Sequence, residues 1–219
     1  GIVVASHKKN MIYSRLSKRL RILKMDSFNN YCKYIESPEG KFEIEELTNS
    51  VTTNLTFFFR EVHHFDHLTQ FIKDNIIGKK NSLRIWSSAC STGQEPYSIA
   101  LAVKKALGSS INKMKVEIVA TDIDSKVLEH SQEGVYNVDD LKKVPEHYKQ
   151  LFPKPFNDKQ FKMPDKIKDM ITFKKLNLLD EWDKKQKYDV IFCRNVVIYF
   201  DKDTQAVLFN NMADLLDDN

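Results

Sequence analysis

Four short segments carry residue types that could do chemistry together. The first is Leu83-Arg84-Ile85-Trp86-Ser87-Ser88-Ala89-Cys90-Ser91-Thr92-Gly93-Gln94-Glu95-Pro96-Tyr97-Ser98, an apolar strand that runs through small residues into a helix. Such a turn lets a ligand approach the backbone, and the helix start offers unpaired N–H groups and a positive dipole end. A ligand carboxylate or ribose suits it. The single glycine leaves no GxGxxG, which disfavours a dinucleotide. Taken alone, the segment is equally an ordinary strand-to-helix turn.

The second segment, Glu117-Ile118-Val119-Ala120-Thr121-Asp122-Ile123-Asp124, ends in two acids. An acid at the tip of the second strand accepts hydrogen bonds from ribose hydroxyls, and Asp122 takes that place. Asp124 is better placed to cap the following helix. The third, Tyr188 to Phe200, is an apolar strand ending in Cys193-Arg194-Asn195, at the edge where open α/β sheets bind ligands. Tyr199 follows within reach of the same crevice, though by itself it reads as a core aromatic. The fourth is Asn54-Leu55-Thr56-Phe57-Phe58-Phe59-Arg60. Its phenylalanines suit packing, while Asn54, Thr56 and Arg60 could close over a cofactor. His63, His64 and His67 follow without HExxH or carboxylate spacing, so no metal site is expected.

The elements that must position these groups are legible from texture. Ile12, Leu16, Leu20 and Leu23 recur at helical spacing over 9–25, with Arg15, Lys18, Arg19 and Arg21 on the other faces. A second helix follows the capping residues Asp26 and Ser27 and stops at Ser37-Pro38-Glu39-Gly40; a third covers about 41–50. From residue 83 short apolar strands alternate with helices, which predicts a parallel sheet with crossover helices. Strands are expected at Leu83–Ser87, Lys115–Thr121, Ile171–Lys174 and Tyr188–Cys193. Helices are expected at Phe65–Ile76, Pro96–Leu107, Ser125–Glu133 and Thr204–Leu216. Between Tyr136 and Lys175 the periodicity fails, and an irregular insertion is expected.

The 219 residues, 42% of them apolar, suffice for one α/β domain and a small accessory domain. Apolar runs fall short of the ~20 residues a bilayer needs, so no membrane insertion is expected and a cytoplasmic location is the default. Cys32, Cys90 and Cys193 are far apart and read as reduced thiols. Net charge is +4, but residues 1–25 hold Lys8, Lys9, Arg15, Lys18, Arg19, Arg21 and Lys24 without an acid, leaving −3 on the rest. Gly1 opens an apolar stretch, and the chain stops at Asp217-Asp218-Asn219 after a helical pattern, so both ends read as cut.

In this order the four segments resemble the CheR family of chemotaxis methyltransferases, which carry N-x-T-x-F-F-R, C-S-T-G-x-E-P-Y-S, A-T-D-I-D and F-C-R-N-x-x-I-Y-F. The resemblance covers about residues 11–219. It implies an α/β fold of the class I S-adenosylmethionine-dependent methyltransferase type, with a Rossmann-like sheet. It further implies an all-helical N-terminal domain at 1–52, a linker helix region at 53–80, and a methyltransferase domain at 81–219. An antiparallel β-subdomain would be inserted at about 142–172.

By position, the resemblance makes Asn54, Thr56, Arg60, Glu95, Asp122, Asn177, Leu178, Cys193, Arg194 and Asn195 the cofactor contacts, with Asn177 and Leu178 beside adenine. Arg60 and Tyr199 become the pair beside the reactive methyl group. The implied reaction is methyl transfer to glutamate carboxylates on the cytoplasmic methylation helices of chemoreceptors. Arg15, Lys18, Arg19 and Arg21 would steer docking onto those acidic helices.

Two departures stand out. Gln94 replaces a more frequent Glu, and the family's closing hairpin with Gly-His-Ser-Glu is not present, so C-terminal strands are expected to be missing. No glycine-rich loop marks the insertion, and no tether to a receptor's C-terminal pentapeptide is expected. A non-catalytic S-adenosylmethionine-binding scaffold or sensor stays open as an alternative. A nucleic-acid methyltransferase is disfavoured, because no Asn/Asp-Pro-Pro-aromatic motif occurs, and no nucleic-acid partner is expected.

Overall fold

A computed structural model describes residues 9–217. Lys8, the apolar start at Gly1, and the Asp218-Asn219 end lie outside the described residues.

Three helices open the chain: α1 (Lys9–Ile22), α2 (Phe28–Glu36) and α3 (Glu43–Val51). The first stops short of the expected residue 25, because Lys24 turns left-handed at φ 54°. Met25 N–H then reaches Leu20 O and Lys24 N–H reaches Arg21 O, the paired bonds that close a helix with a left-handed residue just past its end. Ser27 caps α2 by accepting the Asn30 N–H. Three short helices bury little apolar surface, and a polar node fixes their register instead. Arg19 donates to both oxygens of Glu43, at 2.8 and 2.6 Å, while the Tyr31 hydroxyl donates to Glu43 Oε1 at 3.0 Å. Tyr31 is 2% and Glu43 5% exposed, so this ion pair sits where breaking it leaves an uncompensated charge.

A connector leads to α4 (His63–Asn75), and then the sheet begins with β1 (Ser82–Ser87), α5 (Gln94–Leu107), β2 (Lys115–Asp122) and α6 (Ser125–Glu133). The insertion follows as β3 (Val135–Asn137), α7 (Glu146–Lys149), β4 (Gln160–Lys162) and α8 (Asp165–Lys168). The chain returns to the sheet with β5 (Ile171–Lys175) and β6 (Val190–Phe192), and α9 (Lys202–Ala213) closes it.

The sheet order is β5-β2-β1-β6, every pair parallel, with Leu83 opposite Val116, Ile85 opposite Val190 and Ile118 opposite Ile171. Strand order reverses between β1 and β6, which places a crevice above their carboxyl ends. Among the described residues β6 is an edge, accompanied by a lone parallel bridge between Tyr188 and Leu216. The expected strand over Tyr188–Cys193 is therefore regular only at Val190–Phe192.

The insertion needs one correction. Its antiparallel pair joins Val135 to Lys162 and Asn137 to Gln160, so it begins before 142, and Ile171 and Thr172 belong to the main sheet. Each strand is three residues long, too short for alternation to register in the sequence. The insertion packs onto the connector: Phe58 meets Tyr136 edge-on at 4.9 Å and Phe59 stacks on Tyr148 at 3.9 Å. These two phenylalanines are the core residues their run suggested, 0% and 3% exposed, and they carry Arg60 to the sheet's carboxyl end.

Candidate functional site

The carboxyl ends of the strands open into a cavity of about 550 Å³, within the usual range for small-molecule sites. Its floor is built by the turn between β1 and α5. Trp86 Nε1 donates to Thr121 Oγ1 at 2.9 Å, which donates on to Ser88 O at 3.0 Å, and Cys90 N–H bonds Thr121 O. The tips of β1 and β2 are thus tied together. Gly93 then takes φ 94°, and a Cβ there would lie 2.5 Å from the Tyr136 hydroxyl, so only glycine fits this corner.

Two carboxylates face the crevice, Asp122 buried and Glu95 with its side chain 12% exposed. Glu95, in the first turn of α5, accepts from Ser87 Oγ at 2.8 Å and from Arg194 Nη1 at 2.9 Å. Burial pushes its carboxyl up to about 7, against the opposing pull of Arg194 and Ser87. Asp122, at the tip of β2, accepts the N–H groups of Ser91 at 2.8 Å and Asp124 at 3.0 Å. Burial raises its carboxyl too, despite those bonds. Arg194 offsets the charge of Glu95, while the Asp122 carboxylate, held by backbone N–H groups, can accept from a ligand's hydroxyl or ammonium donors.

The connector forms the wall. Asn54, Thr56 and Arg60 line the cavity, and Asn54 O accepts from Ser91 Oγ at 3.1 Å. The Asn54 amide is spent within the protein, on Asp124 Oδ2 at 2.8 Å. Arg60 Nη1 donates to Leu55 O at 2.9 Å and its Nε lies 4.0 Å from Glu61 Oε1. On the opposite side stand Asn177 and the buried Leu178, with Asn177 Oδ1 turning the chain through the Leu179 N–H. Arg194, Asn195 and Tyr199 complete the enclosure.

Cys193 lines a second cavity with Phe71 and Met212, while its thiol also bonds Ser88, which lines the first.

The docking face also needs correction. Arg19 is turned inward onto Glu43 and Glu46, and Arg15 donates to Ser50 O and to Thr52 O, at 3.2 and 2.5 Å. Arg15, Lys18 and Arg21 are nonetheless exposed, Arg21 with a bond to Ser17 O, so of the four only Arg19 is turned from the surface. The apolar face of α1 meanwhile points into the cavity through Ile12, Tyr13 and Leu16.

Sequence reasoning passed over Glu61. Burial works against its charge, but hydrogen bonds from Arg194 (3.2 Å) and Asn195 (3.3 Å) outweigh it and hold the carboxyl below the usual range. Its adjacency to Arg60 is the only signal the sequence offers. No group of residues suited to a metal ion occurs among the described residues.

An open parallel sheet with this crevice, one acid at the β2 tip and another in the first turn of α5, and a helical unit over its mouth define a methyltransferase of the S-adenosylmethionine-dependent class. Family comparison agrees: residues 54–219 match the CheR methyltransferase S-adenosylmethionine-binding domain and residues 1–52 the CheR methyltransferase all-alpha domain. Relatives include a probable chemotaxis protein methyltransferase of Rhizobium etli, 42% identical over 99% of this chain and 82% of the relative. Chemotaxis protein methyltransferases of Borreliella burgdorferi and Escherichia coli are 40% and 39% identical, over 99% of this chain and 78% and 75% of theirs. The chain belongs to the CheR family of chemotaxis methyltransferases.

The residues present fit the cofactor. Glu95 would suit its ammonium, the Asp122 carboxylate at the β2 tip its ribose hydroxyls, and the buried Leu178 its adenine. No helix among the described residues is long and apolar enough to cross a membrane.

Proposed function

We propose that the protein methylates glutamate side chains on the cytoplasmic helices of chemoreceptors, giving glutamyl methyl esters. S-adenosylmethionine supplies a methyl group on a sulfonium, already an electrophile. A carboxylate oxygen of the substrate forms the new C–O bond while the C–S bond breaks with its electron pair going to sulfur. Glutamate ionises near pH ~4.3, so no general base is required at neutral pH.

The chain's own part is to hold and desolvate. Glu95 and Asp122 anchor the donor, with Asn54, Thr56, Asn177, Leu178, Arg194 and Asn195 around it. Arg60 orients the incoming carboxylate and the Tyr199 hydroxyl helps aim it. Orientation of this kind supplies on the order of 7–11 kcal/mol.

The observation that carries the reading is that Arg60 and Tyr199 line the same cavity as both acids. The neighbourhood of Arg60 and Arg194 already hosts a carboxylate, that of Glu61. The exposed Lys18 and Arg21 support docking to an acidic helix. Transfer of labelled methyl to receptor cytoplasmic fragments as a base-labile ester is expected. Binding of S-adenosylhomocysteine without any base-labile label would refute it in favour of a sensor or scaffold.

A further inference from the structure

Asp124 makes more hydrogen bonds than capping requires. Its Oδ1 accepts the N–H groups of Lys126 and Val127, at 3.0 and 3.3 Å, the ordinary role of an N-cap on α6. Its Oδ2 faces the connector and accepts from the Thr52 hydroxyl at 2.7 Å and the Asn54 amide at 2.8 Å. The residue is 2% exposed, so these bonds form away from competing water.

The connector is held from other sides as well. Thr52 O accepts from Arg15 of α1, and Asn54 O accepts from Ser91 of the cavity floor. Between α3 and α6 an exposed ion pair of the weak kind, Lys126 to Glu46 at 2.7 Å, and a part-buried neutral bond from Asn49 to Ser125 at 3.2 Å run alongside. Asp124 supplies the carboxylate that the connector's own side chains bond, and hydrogen bonds to carboxylates are the strong ones. Thr52 and Asn54 both line the cavity, so what fixes them fixes a wall of the site.

We propose that Asp124 is a positioning residue that sets cofactor affinity by clamping the connector against the tip of β2, so that the helical unit and the sheet form one binding site. The inference rests on the assignment of this cavity to the cofactor. Asp124 acts through Thr52 and Asn54 and need not touch the ligand.

The test is calorimetric titration of the full protein with S-adenosylhomocysteine, for wild type and for Asp124→Ser, Asp124→Asn and Thr52→Val. Serine keeps an N-cap oxygen but is too short to reach the connector. Asparagine keeps the length, and its amide can pair with a rotated Asn54. Asp124→Ser should weaken binding ~10-fold or more, the scale of one hydrogen bond to a charged acceptor. Asp124→Asn should fall between it and wild type, and Thr52→Val should weaken binding several-fold. In turnover, KM for S-adenosylmethionine should rise more than kcat falls, a split that general loss of folded protein does not produce. Folded Asp124→Ser with affinity within ~2-fold of wild type would overturn the proposal. Should that variant not fold, an unchanged affinity of Thr52→Val overturns it. Wild type that fails to bind S-adenosylhomocysteine overturns instead the assignment of the cavity.

Discussion

Arg194 Nη1 donates to Glu95 Oε2 at 2.9 Å, joining the loop after β6 to the first turn of α5 across the crevice where strand order reverses. The same guanidinium reaches Arg60 O and Glu61, and it lies over the Phe65 ring at 5.4 Å. One side chain therefore links the donor end of the site to the end where Arg60 stands.

Glu95 makes the site sensitive to pH. Its carboxyl titrates at about 7 in the folded chain, above the ~4.3 of an unfolded glutamate. Between those values the folded state holds the extra proton, so stability of the unliganded protein falls as pH rises through the window. Binding of a ligand ammonium needs the ionised form and should strengthen as pH rises towards about 7. Thermal midpoints from about pH 5 to about pH 8 should fall with pH in the unliganded protein and stay nearly level with saturating S-adenosylhomocysteine, and Glu95→Gln should flatten the unliganded slope.

Arg60 should separate chemistry from binding. Arg60→Ala is expected to bind S-adenosylhomocysteine within ~3-fold of wild type while methyl transfer falls ~100-fold. Calorimetry beside a labelled-methyl assay checks this; equal losses in both would place Arg60 among the cofactor contacts alone.

Glu43 and the surface cations of α1 should behave in opposite ways. Glu43→Ala leaves the Tyr31 hydroxyl without its acceptor and Arg19 with Glu46 alone, and should cost about 1–3 kcal/mol of helical-unit stability, read by chemical denaturation. Lys18→Ala and Arg21→Ala should stay within about 0.5 kcal/mol of wild type. They should nonetheless slow receptor methylation and blunt its salt dependence.

At the floor of the site, Gly93→Ala meets both a left-handed backbone and the Tyr136 hydroxyl. A loss of about 1–3 kcal/mol in thermal unfolding is expected, together with weaker cofactor binding.

Much of this was legible in the residues. The parallel strands are short segments with apolar centres set between helical segments, and Asp124 and Gly134 mark the ends of α6. The site followed because four segments each end a strand or a connector in polar residues. What escaped notice depends on orientation. A helical pattern cannot say that Arg19 faces inward while Arg21 does not, since the acids that claim Arg19 come from α3. Three-residue strands such as β3 and β4 fall below any period. The second bond set of Asp124 requires knowing that Thr52 and Asn54 arrive beside it, some seventy residues away in the chain.

Phe59, Glu61, Ser91 and Asn195 all adopt left-handed backbone without being glycine, at φ 54°, 56°, 50° and 58°. Conformations of this kind cost on the order of 1–3 kcal/mol each and persist where the surroundings over-determine them. Part of the site's contour is thus cast in main-chain torsions, beside the wall that Asp124 holds through Thr52 and Asn54. An engineer who wished to recognise a different methyl acceptor could exchange the lining and expect the vessel to keep its shape.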